Sequence, residues 1–286
     1  MRFLDVQKMA IHALGKNKIQ TALTMLGIVI GVSAVIAMVS LGQGAQKLVQ
    51  DQVAGMGTNV LQIQGGGGYN SGGGGGGART GSDQQSLTEG DVAAIKDIPA
   101  VKLVTPIAQA RGQFVFGNQN WQTQVEGSNE TYLEIRGWKL DHGEFFTDSD
   151  VRTANRVVVL GKTVADTLFP GGDPVGQTIR IRNLPYRVIA VLASKGQSSN
   201  GQDQDDTAIM PYTTVQKKML ASALPRINRI SVSAVNSKAT TVAKDQITAA
   251  LHERHGIRAG QQDDFRVNNL TEVAEAAEQT TAVMTL

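Results

Sequence analysis

Three short runs of the sequence contain residue types that bind metal ions or phosphates, and HERH is the first of them. His252 and His255 stand three residues apart in this run, one residue closer than in the HExxH motif of zinc proteases. A zinc site needs at least three protein ligands, and the sequence signals no third one. We therefore expect both imidazoles to be exposed at a helix C-terminus, where they interact with the helix dipole.

The run GKT, residues 161–163, matches the end of the P-loop motif that binds nucleotide phosphates. The motif also requires a glycine five residues before Gly161, and Arg156 occupies that position. Without this turn the backbone amides cannot converge on a phosphate. We therefore predict no cofactor in this chain.

The third run is GQDQDD, residues 201–206, in which three carboxylates could bind Ca²⁺. Their spacing does not follow a calcium-binding loop that ends in a distant Glu, so a solvated loop is the expected structure. The chain has no Cys and no recognisable Ser-His-Asp arrangement. Catalysis and metal binding by this chain are therefore not expected.

The composition argues against a nucleic-acid partner. The 286 residues include 27 Lys and Arg against 25 Asp and Glu, and the net charge is +2. Only 5% of the residues are aromatic. Such a chain lacks both the positive charge that attracts phosphates and the rings on which bases stack.

An uncharged apolar run extends from Thr21 to Leu41. As a helix it would be about 30 Å long, which is the thickness of the hydrocarbon core of a membrane. A buried core helix and a cleaved signal peptide are the alternatives, but the run is longer than a signal peptide's apolar region of about 7 to 15 residues. We predict a transmembrane helix.

Basic residues precede this helix and indicate its orientation. Arg2, Lys8, Lys16 and Lys18 are offset only by Asp5, so the positive-inside rule places the N-terminus in the cytoplasm. Residues 42 onward then lie outside the cytoplasm. Residues 1–20 form a predicted amphipathic helix on the cytoplasmic surface.

Two glycines within the predicted membrane helix, Gly27 and Gly31, have the small-xxx-small spacing that lets another helix approach closely. We predict that they pack against a helix in the membrane. Beyond the membrane helix, residues 42–57 predict a polar continuation that forms a stalk. The last helix starts at 269, becomes apolar towards 286, and looks like the approach to a truncated second span.

The part outside the membrane has a strand-helix-strand order that occurs twice, once before and once after a strand-rich insertion. This order predicts an α+β fold with a ferredoxin-like split βαβ domain. Within the insertion, Asn118–Asn120 and Asn183–Pro185 are the predicted turns of two hairpins.

The predicted organisation has seven parts. They are a cytoplasmic amphipathic helix (1–20), a transmembrane helix (21–41), a stalk helix (42–57), the first half of the split domain (58–110, with a Gly-rich linker at 65–86), an inserted β-rich domain (111–206), the second half of the split domain (207–268) and a C-terminal stalk helix (269–286).

Several motifs, taken in order, are similar to one known family. They are LTMLGIVIGVSAVIAMVSLGQGAQ, TLFPGGDPVGQTIRI, YRVIAVLASKGQS, GQDQDD, ERHGI and DDFRVNNLTEV. Together they resemble the MacB family of ABC-type efflux permeases over essentially the whole chain. The resemblance implies that the split domain is the family's porter subdomain and that the insertion is its sabre subdomain.

The resemblance further implies a permease of the cell inner membrane, with residues 42–286 mostly periplasmic. It would form a homodimer and be driven by a cytoplasmic ATP-binding domain or subunit. Its periplasmic part would dock an adaptor (membrane-fusion) protein linked to an outer-membrane channel. The chain lacks the nucleotide-binding domain and the last three spans, and its polyglycine stretch is unusually long, so alone it would not transport. The candidate partner-contact loop consists of Gly201, Gln202, Asp203, Gln204, Asp205 and Asp206.

The function we expect is that of a permease subunit, or its N-terminal fragment, which transmits ATP-driven motion to a periplasmic domain that expels substrate. Three alternatives remain open. They are a lipoprotein-releasing or cell-division permease of the same superfamily, a single-pass anchored periplasmic binding module, and an anchored enzyme.

Overall fold

The computed structural model describes residues 18–56, 59–66, 87–198, 201–220, 227–258, 260–261 and 263–269. The chain divides into two compact units, of which one contains residues 1–49 and 276–286 and the other residues 50–275. The predicted amphipathic helix, the Gly-rich linker and the C-terminal stalk helix lie almost entirely outside the described residues.

Helix α1, Lys18–Met56, is the long apolar helix. Its segment Lys18–Ser40 is long and apolar enough to cross a membrane. Twelve large apolar side chains of this segment are exposed, from Ile19 at 84% to Val39 at 46%. These side chains are not part of the core that the described residues form. An apolar environment such as a membrane would cover them. The helix continues without a break through the predicted stalk to Met56.

The first sheet contains four antiparallel strands in the order β10-β1-β9-β2. The strands are β1 (Val60–Gly65), β2 (Val101–Phe116), β9 (Arg229–Ala234) and β10 (Phe265–Asn269). Helix α2, Glu89–Lys96, connects β1 to β2, and helix α7, Ala239–His255, connects β9 to β10. The first and last strands are neighbours, as the repeated strand-helix-strand order predicts.

The core of this sheet is built by the helical period of α7. Ala243, Ile247 and Leu251 recur every four residues and are completely buried. They pack with Leu61 and Ile63 of β1, which alternate along the strand. The four-residue repeat of the helix and the alternation of the strand each place apolar side chains on one face, and these two faces pack against each other.

The remaining strands form a second sheet that closes on itself. The strands are β3 (Gln119–Ser128), β4 (Leu140–Gly143), β5 (Val157–Leu160), β6 (Thr178–Ile181), β7 (Leu184–Leu192) and β8 (Thr207–Pro211). Pairing runs β2-β3-β8-β5-β7-β6 and returns to β2, while β4 extends β7. A closed ring leaves few free strand edges.

Four short helices cover the ring. They are α3 (Tyr132–Arg136), α4 (Asp148–Thr153), α5 (Lys162–Leu168) and α6 (Tyr212–Lys218). The ring is filled by side chains such as Phe114, Val125, Ile179 and Met210, so it encloses a packed core.

The structure places the end of the inserted region later in the chain than the predicted boundary at residue 206. Strand β8 pairs with β3 and β5 in the ring. Val215 and Met219 of the following segment belong to the ring's core. At the other boundary, residue 111 lies within the single strand β2. Sequence order alone cannot tell which of two sheets a buried strand joins, because that choice depends on distant partners.

The two hairpin turns are shorter than predicted. Phe116 pairs with Gln119, so the first turn is Gly117–Asn118, and Gly117 has a φ of 55°. Ile181 pairs with Leu184, so the second turn is Arg182–Asn183, with φ values of 49° and 65°. Two-residue turns are favoured because they match the twist of the strands.

We predict that Gly161→Ala destabilises the protein by about 1 to 3 kcal/mol, the usual range for inserting a methyl group into a packed site. A Cβ atom on Gly161 would lie 2.2 Å from the backbone oxygen of Asp205 and 2.9 Å from that of Thr207. Urea unfolding of the full chain in detergent micelles, followed by Trp fluorescence, measures the effect.

Gly172→Ala is the matched control, because a Cβ atom there meets nothing within 4 Å. The control should change the unfolding free energy by less than about 0.5 kcal/mol. Equal effects of the two substitutions would contradict the close approach at Gly161.

Candidate functional site

The GKT run is used in contacts within the chain. Gly161 precedes helix α5, and its N–H donates to the backbone oxygen of Thr207 at 2.8 Å. Lys162 forms an ion pair with Asp166 at 3.2 Å, and the hydroxyl of Thr163 donates to Asp203 at 2.6 Å. Helix α5 has only seven residues. These contacts support a structural role for the run.

The candidate partner-contact loop is held to its own domain by its carboxylates. Asp205 is buried and accepts hydrogen bonds from the backbone N–H groups of Lys195 at 2.7 Å and Gly196 at 3.0 Å, and from the Ser194 hydroxyl. Asp206 accepts from the indole N–H of Trp121 at 2.8 Å. The three carboxylates therefore order the loop.

Of the remaining loop residues, Gly201 and Gln202 are exposed and Gln204 is partly buried. The backbone N–H of Gln204 donates to the oxygen of Gly196 at 3.1 Å. A role of this loop in partner contact stays a prediction. Within the described ranges, no three His, Cys, Asp or Glu side chains are grouped so that they could hold a metal ion.

The HERH run lies at the end of α7, but His255 is not exposed as the sequence led us to expect. Its side chain is only 10% exposed and lies between two carboxylates. Nδ1 is 2.8 Å from Oδ1 of Asp264, and Nε2 is 3.4 Å from Oδ2 of Asp91. His252 is more exposed, at 38%, and its Nε2 is 2.7 Å from Asp263.

The physical reason for this difference is tertiary. The segment before β10 and the start of α2 both meet the end of α7, and their acidic side chains cover His255. Arg254 of α7 also donates from Nε to Oδ1 of Asp91 at 2.8 Å. The cluster therefore fastens α2, α7 and β10 together.

The charges of this cluster stabilise one another. Burial lowers the pKa of His255, but the carboxylates of Asp264 and Asp91 outweigh burial, so the pKa lies above its ordinary value of 6.5. Burial raises the pKa of Asp91, but hydrogen bonds from Arg254 and Thr88 outweigh it, so the pKa lies below its ordinary value of 3.8.

A buried charge lies where the two sheets meet. Glu126 of β3 is 7% exposed. Its Oε1 accepts from Nη2 of Arg229 in β9 at 2.9 Å and from the amide of Gln109 in β2 at 3.2 Å. Its Oε2 accepts from the hydroxyl of Tyr132 in α3 at 2.5 Å. One carboxylate therefore ties three strands and a helix together.

The carboxylate of Glu126 remains ionised because of its neighbours. Burial raises its pKa, but the guanidinium groups of Arg229 and Arg136 and the Tyr132 hydroxyl outweigh burial and lower the pKa. Burial and the Glu126 charge raise the pKa of Tyr132, so its hydroxyl stays protonated and donates. Glu126 and Tyr132 are themselves buried, which fits a structural role.

Hydrogen bonds from side chains strengthen the same junction. The hydroxyls of Thr105 and Ser128 lie 2.6 Å apart, and the Thr131 hydroxyl donates to the oxygen of Val104 at 2.9 Å. The amide of Asn129 donates to the same oxygen at 3.0 Å. Strand β2 pairs with β9 up to Ile107 and with β3 from Ala108, so these bonds join one sheet to the other.

Sequence reasoning did not find Glu126. The one available signal was that Glu126 is the only charged residue in the strand QNWQTQVEGS. A charged residue in an otherwise uncharged strand can face solvent or a buried counter-charge, and the counter-charge here comes from Arg229, 103 residues further along the chain.

Gly27 and Gly31 lie on the apolar helix α1. Among the residues that the structure describes, a Cβ atom at either position would meet nothing within 4 Å. Both positions are therefore open to a neighbouring helix. Their predicted role in helix packing stays a prediction.

Comparison with known proteins identifies a related family. The sequence profile of the family described as MacB-like periplasmic core domain matches residues 21–250. Relatives include the proteins named Macrolide export ATP-binding/permease protein MacB of Syntrophobacter fumaroxidans, Pectobacterium atrosepticum and Rhodospirillum rubrum, at 34%, 34% and 35% identity. The alignments cover 96%, 100% and 99% of this chain but 46%, 42% and 42% of those proteins. The chain therefore spans less than half the length of these curated relatives.

Solved structures agree with this relationship. The periplasmic region of MacB from Actinobacillus actinomycetemcomitans is 29% identical and has a TM-score of 0.63, covering 80% of this chain and 97% of that one. The extracellular domain of the noncanonic ABC-type transporter YknZ from Gram-positive bacteria shares the fold at 18% identity, with a TM-score of 0.57 and coverage of 74% and 100%.

We predict that His255 makes stability depend on pH. Because its folded pKa is raised, protonated His255 stabilises the protein below pH 6.5, and this contribution is lost as pH rises through the folded value. The unfolding free energy lost in His255→Gln should therefore be largest on the acidic side of neutrality and shrink in alkaline solution. Urea unfolding of both proteins across this range measures it.

Asp264→Asn is the companion variant, because it removes the nearest carboxylate and should weaken the same pH dependence. Asp91 acts in the opposite direction, since its lowered pKa gives a contribution that is lost as pH falls below 3.8. A loss in His255→Gln that is the same at every pH would count against the cluster.

We predict that Glu126→Gln costs about 3 kcal/mol of unfolding free energy, because it leaves the partly buried Arg229 and Arg136 without the Glu126 carboxylate. Glu134→Gln is the matched control, since Glu134 pairs with Lys102 on the surface, where the side chains are 61% and 56% exposed. Such a pair contributes about 0 to 1 kcal/mol. Similar losses in the two variants, measured by urea unfolding, would show that Glu126 is no more than a surface charge.

Proposed function

This chain belongs to the family of the MacB-like periplasmic core domain, and from that premise we propose that it is the permease part of an ABC-type efflux transporter. One observation carries the proposal. A helix long and apolar enough to cross a membrane, Lys18–Ser40, and the polar stretch that follows it form one continuous helix, α1. The family match, residues 21–250, includes most of this helix and every strand of the two sheets except β10.

We assign the two sheets to the family's subdomains. The four-stranded sheet with α2 and α7 would be the porter subdomain, and the closed ring with α3 to α6 would be the sabre subdomain. The strand order β10-β1-β9-β2 supports the first assignment, since two split βαβ units build such a sheet. The position of the ring between these units supports the second.

The transporter that we propose contains more than this chain. ATP would be hydrolysed on a cytoplasmic domain or subunit, the permease would be a homodimer in the inner membrane, and its N-terminus would face the cytoplasm. An adaptor protein would connect the periplasmic part to an outer-membrane channel. Gly27 and Gly31, which are open in this chain, would pack against another membrane helix.

The proposed mechanism transmits force without chemistry in this chain. Closure of the ATPase would displace α1, and a helix can pass on a displacement because its backbone hydrogen bonds run along its length. Between the sheets, the Glu126 cluster and the shared strand β2 would keep the porter and sabre parts moving together. A rigid junction suits a domain that expels its cargo by moving as a body.

Macrolide tolerance tests this function, because export of macrolides stands in the relatives' names. The gene that contains this chain would be expressed with its ATPase and adaptor in a strain without its own macrolide exporter. We expect tolerance to erythromycin to rise when all parts are present and to return to the starting level when the ATPase or the adaptor is left out.

Two outcomes would contradict the proposal. Tolerance that is independent of the ATPase would favour a single-pass anchored binding module or an anchored enzyme. Unchanged tolerance together with ATP-dependent release of lipoproteins, or activation of a cell-wall hydrolase, would favour the lipoprotein-releasing or cell-division branch.

A further inference from the structure

We propose that the outer face of strands β2, β3 and β6 is the docking surface for the adaptor, and that the adaptor binds it with acidic side chains. This inference rests on the proposed function and adds to it the place and the chemistry of the contact. We call this surface the arginine face and define it by six outward residues, Arg111, Gln113, Val115, Gln122, Gln124 and Arg180.

The pairing of the strands brings these residues together. Arg111 is opposite Gln124, Gln113 is opposite Gln122, and Val115 is opposite Arg180. The residues between them along the strands, such as Phe114 and Ile181, are buried in the core of the ring. Because successive side chains of a strand point to opposite faces, the six residues share the outer face. All of them are exposed except Val115, which is partly buried.

The arginine face has no acidic group to balance its charge. Strands β2, β3 and β6 contain a single acidic residue, and this is the buried Glu126. Within the described part of the chain, neither Arg111 nor Arg180 has an ion-pair partner. The face ends at β7, where Arg187 interacts with Asp150.

Acidic residues elsewhere on the ring are engaged within the chain. Asp205 binds the backbone of Lys195 and Gly196, and Asp206 binds Trp121. Asp166 pairs with Lys162. These carboxylates of the ring region are bound within the chain, whereas Arg111 and Arg180 face outward without an acidic neighbour among the described residues, which makes an acidic partner complementary to this face.

One end of the arginine face is a shallow cavity of about 270 Å³, lined by Gln113, Val115, Arg180, Arg182 and Asn183. Arg182 is held in place because its guanidinium donates to the backbone oxygen of Met219. Arg182 and Asn183 form the tight turn between β6 and β7. A positioned guanidinium loses less conformational entropy when a carboxylate binds it.

The chemistry of the face favours a protein partner. Arg binds carboxylates in a bidentate manner, and the glutamine amides both donate and accept hydrogen bonds, as the polar groups of a protein surface require. Surfaces that bind lipid carry Lys together with inserted apolar or aromatic side chains, and the six residues of this face include neither Lys nor an aromatic ring. A second copy of the same face would be repelled, because a two-fold interface would oppose like charges.

Adaptor binding by full-length variants tests the proposal. Arg111→Glu/Arg180→Glu reverses two charges on the arginine face. Lys238→Glu/Arg258→Glu makes the same change in net charge at two exposed positions on the segments that flank α7, away from the face. The adaptor of the same organism would be the probe, and Kd would be measured by biolayer interferometry on protein in nanodiscs. Measurements at about 50 and about 300 mM NaCl separate the electrostatic part, which salt screens.

We expect the arginine-face variant to raise Kd by about tenfold or more at low salt, and the control variant to change it by less than about twofold. Unchanged binding by the arginine-face variant, or equal losses in both variants, would overturn the assignment while leaving the proposed function intact. If the arginine-face variant lost binding to phosphatidylglycerol vesicles but kept adaptor binding, the assignment would be overturned in favour of a lipid surface. Absence of adaptor binding by the unaltered chain would defeat the proposed function itself.

Discussion

The structure between residues 59 and 269 depends on the passage of one strand through two sheets. Strand β2 pairs with β9 in the first half of its length and with β3 in the second half. Such a strand could bend at the point where its partners change. The buried carboxylate of Glu126 opposes bending, because it is held simultaneously from β2, β9 and α3. A charge in this position is stable only while every partner stays in place.

The same constraint explains how the polar residues are distributed. Most carboxylates of the ring and of the α7 cluster are bound by groups of the same chain, as Asp205 and Asp264 illustrate. They order loops and fasten helix ends where apolar packing is thin. Among the described residues, the outward arginines of β2 and β6 lack such partners, so this face carries positive charge that no acidic side chain of the same strands balances. Electrostatic asymmetry of this kind suits a protein that works by assembly.

The family relationship and the physical chemistry lead to the same view of the molecule. The relatives are ATP-binding/permease proteins more than twice the length of this chain. This chain combines an apolar helix with two sheets that share a strand. The three runs HERH, GKT and GQDQDD all make contacts within the fold, through His255, Thr163 and Asp205 among others.

The sequence by itself determined the features that depend on local order. The uncharged run 21–41 predicted the long apolar helix, and the two strand-helix-strand units predicted the four-stranded sheet, because periodicity and hydropathy act over neighbouring residues. Tertiary structure alone decided the rest. It assigned β8 to the ring, covered His255 with Asp264 and Asp91, and gave Glu126 its counter-charge in Arg229. These outcomes depend on residues far apart in sequence, and only the closure of the sheets brings them into contact.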